Sequence, residues 1–163
     1  MTEEAFLQAL VAKPNDDVTR QVYADWLEEQ DDEGATTRAA FLRLELELAA
    51  KKGRRGRRQK ERRELAVLLE PAWLAVVDKV PIERCTFAFE CPRKWENLQP
   101  IEGSTTTRFC DACKKNVHYC DSIADAREHA REGRCVAIDA RLVRRPGDLD
   151  VIDHLSTVVG ELA

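Results

Sequence analysis

The chain has 163 residues, 44% hydrophobic, 34% charged and 6% aromatic, which suits one domain or two small ones and excludes a low-complexity or disordered composition. Its 26 lysines and arginines against 30 aspartates and glutamates give a formal net charge of −4, which excludes a globally basic nucleic-acid coat and makes any basic surface local. No run approaches the roughly 18 apolar residues that span a bilayer, and Met1-Thr-Glu-Glu lacks the positive start and apolar stretch of a secretory signal. The expectation is a cytoplasmic protein with no membrane partner.

Phe6, Leu7, Leu10 and Val11 recur at helical spacing behind Thr2, which is placed to cap, with Glu3 and Glu4 favourable in the first turn. Lys13-Pro-Asn-Asp ends this helix. A second follows Asp16 or Asp17, with Val18, Val22 and Trp26 beside Tyr23 and Leu27 on one apolar face, and Arg20, Asp25, Glu28 and Glu29 on the polar face. The acidic Asp31-Asp-Glu-Gly34 reads as a turn, after which Thr36 or Thr37 opens a third helix with Phe41, Leu44 and Leu48 inward. Leu65 to Val77 is a fourth apolar segment, which Pro71 either kinks or divides into two short helices. Residues 1–78 therefore predict a helical bundle.

After Pro81 the period changes to two. Cys85, Phe87, Phe89 and Cys91 alternate with Thr86, Ala88 and Glu90 as along a half-buried strand. Thr105 to Cys110 and Lys115 to Cys120 read as strands of a hairpin with Cys110-Asp-Ala-Cys113 at its tip. A short helix is expected from Ser122, which starts an approximate capping box, to Gly133. Cys135 to Asp139 reads as a returning strand, and Val151, Ile152, Leu155, Val158 and Val159 predict a last helix over Leu149 to Leu162. The expected fold class is α+β, with the helical bundle of residues 1–78 followed by a small zinc-ribbon-like domain over 79–163.

All six cysteines, Cys85, Cys91, Cys110, Cys113, Cys120 and Cys135, lie in the second half. Disulfides, redox thiols and a metal site are the three readings, and a reducing compartment favours metal. A structural zinc ion takes four soft or imidazole ligands, commonly two from a C-x2-C turn and two from elsewhere. Cys110 and Cys113 supply the turn, and Cys91 and Cys135 complete the pattern C-x18-C-x2-C-x21-C. Cys120 is flanked by apolar residues and reads first as core filler, as does Cys85. His129 and Cys120 remain the substitute ligands, with His118 and His154 read as ordinary exposed or hydrogen-bonded histidines. An open, catalytic zinc would need a neighbouring base; Asp111, Asp121, Asp125 and Glu128 read as solvated charge, and no H-E-x-x-H or H-x-E with P-C-x-x-C occurs. The expectation is structural Zn2+ without catalysis.

Between Lys51 and Arg63 stand nine bases, Lys51, Lys52, Arg54, Arg55, Arg57, Arg58, Lys60, Arg62 and Arg63, against the single acid Glu61. Residues 1–50 carry 12 acids and 4 bases, so this basic loop is either neutralised by its own domain or contacts a phosphate backbone with the help of Gly53 and Gly56. No aromatic residue interleaves with it, so base stacking is not expected.

Phe6-Leu-Gln-Ala-Leu, Asn15-Asp-Asp, Arg20-Gln-Val-Tyr-Ala-Asp-Trp-Leu-Glu-Glu29 and Arg38-Ala-Ala-Phe-Leu-Arg-Leu-Glu45 closely resemble the repeat-companion domain of planctomycetes and myxobacteria, over about residues 4–78. The resemblance implies a small helical module that accompanies other modules. Cys91, Trp95, Arg108-Phe-Cys110, Cys113, Val117 and Cys135 are similar to a four-cysteine module of bacterial proteins, over about residues 81–140, and that resemblance leaves Cys85 and Cys120 outside the ligand set. Neither resemblance implies a catalytic residue. The expected function is a non-enzymatic, zinc-stabilised interaction module that binds another protein as an adaptor, inhibitor or immunity-type factor; nucleic-acid binding through Lys51–Arg63 is the alternative.

Overall fold

Short polar side chains set the helix starts. Thr2 Oγ1 accepts the Ala5 N–H at 3.4 Å and opens α1 (Glu3–Ala12), and Asp16 accepts the Val18 and Thr19 amides, each at 3.0 Å, and opens α2 (Asp17–Glu28). The third helix, α3 (Glu33–Ala50), begins ahead of Thr36 because the Asp32 carboxylate takes the Ala35 amide at 2.8 Å. The acidic run is thus a cap as well as a turn. Pro71 divides the fourth apolar segment into α4 (Gly56–Val67) and α5 (Pro71–Val77), and sits in the first turn of α5 where no N–H is needed.

The computed structural model describes residues 2–50, 56–83, 93–145 and 147–149. Cys85, Cys91 and the strand expected around them lie outside the described residues, as does the helix expected beyond Leu149. The sheet contains β1 (Ile82–Glu83), β2 (Gln99–Ile101), β3 (Ser104–Cys110), β4 (Lys115–Cys120) and β5 (Cys135–Ile138), in the order β1-β5-β4-β3-β2. The pairs β1–β5, β2–β3 and β3–β4 are antiparallel, whereas β4 and β5 are parallel and joined by α6 (Ile123–Arg131). Ser122 caps α6 by accepting the Asp125 amide at 3.1 Å, and Gly133, at φ 68°, turns the chain out of it. The fold is α+β, with five of its six described helices preceding the sheet.

One apolar cluster crosses the boundary expected at residue 78. It runs from Phe6 and Leu10 through Tyr23, Phe41 and Trp73 to Trp95, Val117, Tyr119 and Ala140. The Phe6 and Tyr23 rings stack at 4.9 Å, and the Trp73 indole N–H donates to the Tyr23 hydroxyl at 3.0 Å. The buried face of α2 differs from the expected one. Val18 and Val22 are 74% and 47% exposed, while Arg20, read as polar-face, is fully buried beside Tyr23, Ala24 and Leu27.

The end of α5 explains that rotation. The last carbonyls of a helix have no partner within it. Arg20 Nε and Nη2 donate to the Val77 carbonyl at 3.3 and 3.2 Å; from the other half of the chain, Arg108 Nη2 donates to Ala75 and Val76, both at 3.3 Å, and the Trp95 indole N–H to Ala75 at 2.9 Å. Arg108 also lies over the Trp95 ring, 4.1 Å from its centroid. Burial, and then the nearby charge of Arg20, push the Arg108 guanidinium down to about 10, so it stays cationic at neutral pH against carbonyls of partial negative charge.

Asp78, the next residue, is fully buried and gathers both halves. Oδ1 accepts the Lys79 amide at 2.9 Å and the Arg62 guanidinium, and Oδ2 accepts the Tyr119 hydroxyl at 2.7 Å and the Ala140 amide at 3.1 Å. Arg62 donates also to buried Glu45, whose carboxyl is pushed up by burial against the pull of Arg62.

Candidate metal centre

β3 and β4 meet at Asp111-Ala112-Cys113-Lys114. Lys114 takes a left-handed conformation, φ 57°, and its N–H donates to the Cys110 carbonyl at 2.8 Å, which curls the tip back on itself. The Ala112 and Cys113 amides then donate to the Cys110 sulfur. Burial raises the Cys110 thiol pKa, and these amides, together with the Cys113 side chain, outweigh it, so the thiol is held below its ordinary value. Backbone N–H groups aimed at a sulfur are the outer-shell support that a metal-bound thiolate uses.

The register decides which side chains share a face. Arg108 pairs with Val117 and Val117 with Cys135, while Cys110 pairs with Lys115. Because side chains alternate along a strand, Cys110, Arg108, Val117, Tyr119 and Cys135 face the helices, and His118, Cys120, Val136 and Ile138 face α6. The two apolar clusters divide the same way: Cys110 and Cys135 belong to the large one, with Cys113 packed against it, and Cys120 to the smaller one with Ala126 and Ala130. Cys110 ends β3 and Cys135 begins β5, so the strand directions put both at one end of the sheet. Three of the four expected zinc ligands are therefore at one end and on one side. Cys91, the fourth, lies outside the described residues.

The two substitute ligands, His129 and Cys120, sit across the sheet from Cys110 and Cys135. They join Asp125, with one ligand atom from each of the three lying within 4.8 Å of the others. The His129 ring stacks on His118, centroids 4.1 Å apart and planes 11° off parallel. An open cavity of about 490 Å³ adjoins them, lined by Glu70, Thr107, His118, Asp121, Asp125 and His129. Burial lowers the His118 pKa, with the neighbouring His129 adding to it, and burial raises that of the Cys120 thiol, with Asp125 adding to it. Asp125 reads as solvated charge from the sequence. The signal that exposes it is its spacing: Asp125 and His129 stand one turn apart on a helix whose preceding strand ends in Cys120.

Of the basic run, Lys51, Lys52, Arg54 and Arg55 lie outside the described residues. From Gly56 onward the expected loop is instead α4, which carries Arg57, Arg58, Lys60, Arg62 and Arg63. Arg62 turns inward to Glu45 and Asp78, Arg58 pairs with Glu47, and Lys60 lies 3.6 Å from Glu64. The acidic helix α3 is what draws the first two in. No described helix is long and apolar enough to cross a membrane. Comparison with protein-family models, curated proteins and solved structures finds no match to this chain.

Proposed function

We propose that the chain is a cytoplasmic, non-enzymatic protein-interaction module whose sheet is tied together by structural Zn2+ on Cys91, Cys110, Cys113 and Cys135. The observation that carries this reading is the β3–β4 tip, where two backbone amides support the Cys110 sulfur and Cys113 follows in the same turn. Cys135, at the same end and face of the sheet, has the position the reading needs. Four cysteines form a closed donor set, which leaves no position for a substrate, and thiolates suit zinc above the hard divalent cations.

A protein partner is supported by α2, where the apolar Val18 and Val22 stand 74% and 47% exposed among the described residues. The resemblance of residues 4–78 to a companion module points the same way. Nucleic-acid binding through Lys51–Arg63 has less support, because Arg58 and Arg62 already meet carboxylates. Elemental analysis of the full chain, purified without chelator, tests the metal reading. Zinc is expected, with loss of one equivalent in both Cys113→Ser and Cys91→Ser; wild-type zinc content in these two variants refutes it. For the partner, a protein retained by the wild type from the native host and released by Val18→Asp with Val22→Asp is the expected result.

A further inference from the structure

The α6 side of the sheet carries ligand-type side chains that the four-cysteine proposal does not use. Cys120 ends β4 and is buried against α6, and Asp125 and His129 stand one turn apart on that helix. Their ligand atoms lie within 4.8 Å of one another, and His129 Nε2 is 3.8 Å from Asp125 Oδ1. Zinc–ligand bonds of 2.0–2.3 Å correspond to ligand separations of about 3.3–3.8 Å in a tetrahedron, so the three need only a small closing movement. One thiol, one imidazole and one carboxylate form a mixed donor set that suits zinc and is a poor match to calcium or magnesium, which take oxygen ligands.

We propose that Cys120, Asp125 and His129 form a second Zn2+ site with three protein ligands, whose fourth position faces the adjoining cavity and is taken by water. Glu70 and Asp121 line that cavity and add negative potential for a cation. His118 is a positioning residue: ring-nitrogen lone pairs lie in the ring plane, so two parallel stacked imidazoles do not converge on one ion, and the stack instead holds the His129 ring in orientation.

Arg134 opposes loading. Its Nη1 lies 3.1 Å from His129 Nδ1, and because a guanidinium only donates, Nδ1 is the acceptor and Nε2 carries the proton. A metal on Nε2 requires the opposite tautomer, with the proton on Nδ1. The Arg134 side chain is 48% exposed and is therefore able to swing away when the ion enters. The site binds the cation at the expense of this contact.

The test uses the full chain, stripped of metal and dialysed to equilibrium against Zn2+ alone, with zinc per chain measured by elemental analysis. Asp125→Asn, an isosteric change at a half-exposed residue, and His129→Ala are each expected to bind one equivalent fewer than the wild type while their metal-free circular dichroism is unchanged. Cys110→Ser is expected to lose the other equivalent only. If the four-cysteine proposal fails, wild type and Cys110→Ser both bind one equivalent and His129→Ala none, which still supports this site. Equal zinc content in wild type, Asp125→Asn and His129→Ala overturns it. Arg134→Ala is expected to bind zinc here more tightly, and weaker binding overturns the opposing role.

Discussion

Asp78→Asn removes a charge while keeping the shape of the side chain that joins the two halves. Each Asp78 oxygen accepts two donors, Lys79 N–H and Arg62 on one, Tyr119 O–H and Ala140 N–H on the other. Whichever oxygen becomes an amide nitrogen then faces two donors, and two buried groups lose their acceptor. Each unsatisfied group costs about 1–3 kcal/mol, and removing one partner of a buried ion pair costs about 3–5 kcal/mol. The two estimates describe overlapping losses, so the expected destabilisation is about 3–5 kcal/mol, a large fraction of the roughly 5–15 kcal/mol that holds a domain folded. In a chain of this length that corresponds to a fall in Tm of about 6–20 °C. Tryptophan fluorescence reports it, because Trp73 belongs to the bundle and Trp95 lies against the sheet, and both are buried in one cluster. With Trp26 replaced by Phe, variants that keep either Trp73 or Trp95, the other also replaced by Phe, are expected to show the same fall in midpoint on adding Asp78→Asn. A loss under about 1 kcal/mol, or falls that differ between the two probes, refutes the shared core.

Arg108→Met removes a charged donor from the carbonyls of Ala75, Val76 and Trp95, of which Ala75 keeps the Trp95 indole N–H and Trp95 keeps the Leu98 amide, and is expected to cost about 1–3 kcal/mol by urea unfolding; Arg108→Lys is expected not to restore it, since one ammonium does not reproduce the guanidinium fork over three acceptors. Val18→Asp is expected to change stability by under about 0.5 kcal/mol in the same assay, because the residue faces solvent. Donation from the Thr19 amide, and then from its hydroxyl, holds the Asp16 carboxyl below its ordinary 3.8, so its contribution is complete above that pH and is lost as pH falls through the lower folded value. Asp16→Asn, which keeps an acceptor, is expected to flatten the urea midpoint between about pH 5 and 2 relative to the wild type. Under the zinc proposal, a chelator is expected to lower the unfolding midpoint reported by Trp73 as well as by Trp95, because Cys110 and Cys135 share a cluster with Phe6.

Element boundaries were legible wherever a local signal set them. Thr2, Asp16, Ser122, Pro71 and Gly133 act through neighbours a few residues away, and each marks a helix end in the structure. The orientation of α2 was not legible, because what turns it is a carbonyl at residue 77, far along the chain. Hydrophobic periodicity ranks Val18 above Arg20 for burial, and a helix end in need of donors reverses that rank. For β4 and β5 the helix between them is a local sign of parallel direction, because a helical crossover returns the chain to the starting end of the sheet, but that the two strands lie side by side is decided by packing. At the candidate metal centre the C-x2-C turn was local and readable. The meeting of Cys120 with Asp125 and His129 depends on α6 folding back over β4, and spacing along the helix alone does not reveal it.

The acceptance of the Ala140 amide by Asp78 has a bearing on biosynthesis. A ribosome adding about 5–20 residues per second needs roughly 3–12 s to pass from that aspartate to the alanine that completes its coordination. During that interval the nascent helices hold an aspartate short of its Tyr119 and Ala140 donors, and until Arg108 is made they also lack the arginine that seals the last turn of α5. Cotranslational maturation of the amino-terminal half is therefore deferred, and the growing polypeptide is most exposed to proteases and holdases while its sheet is still being made.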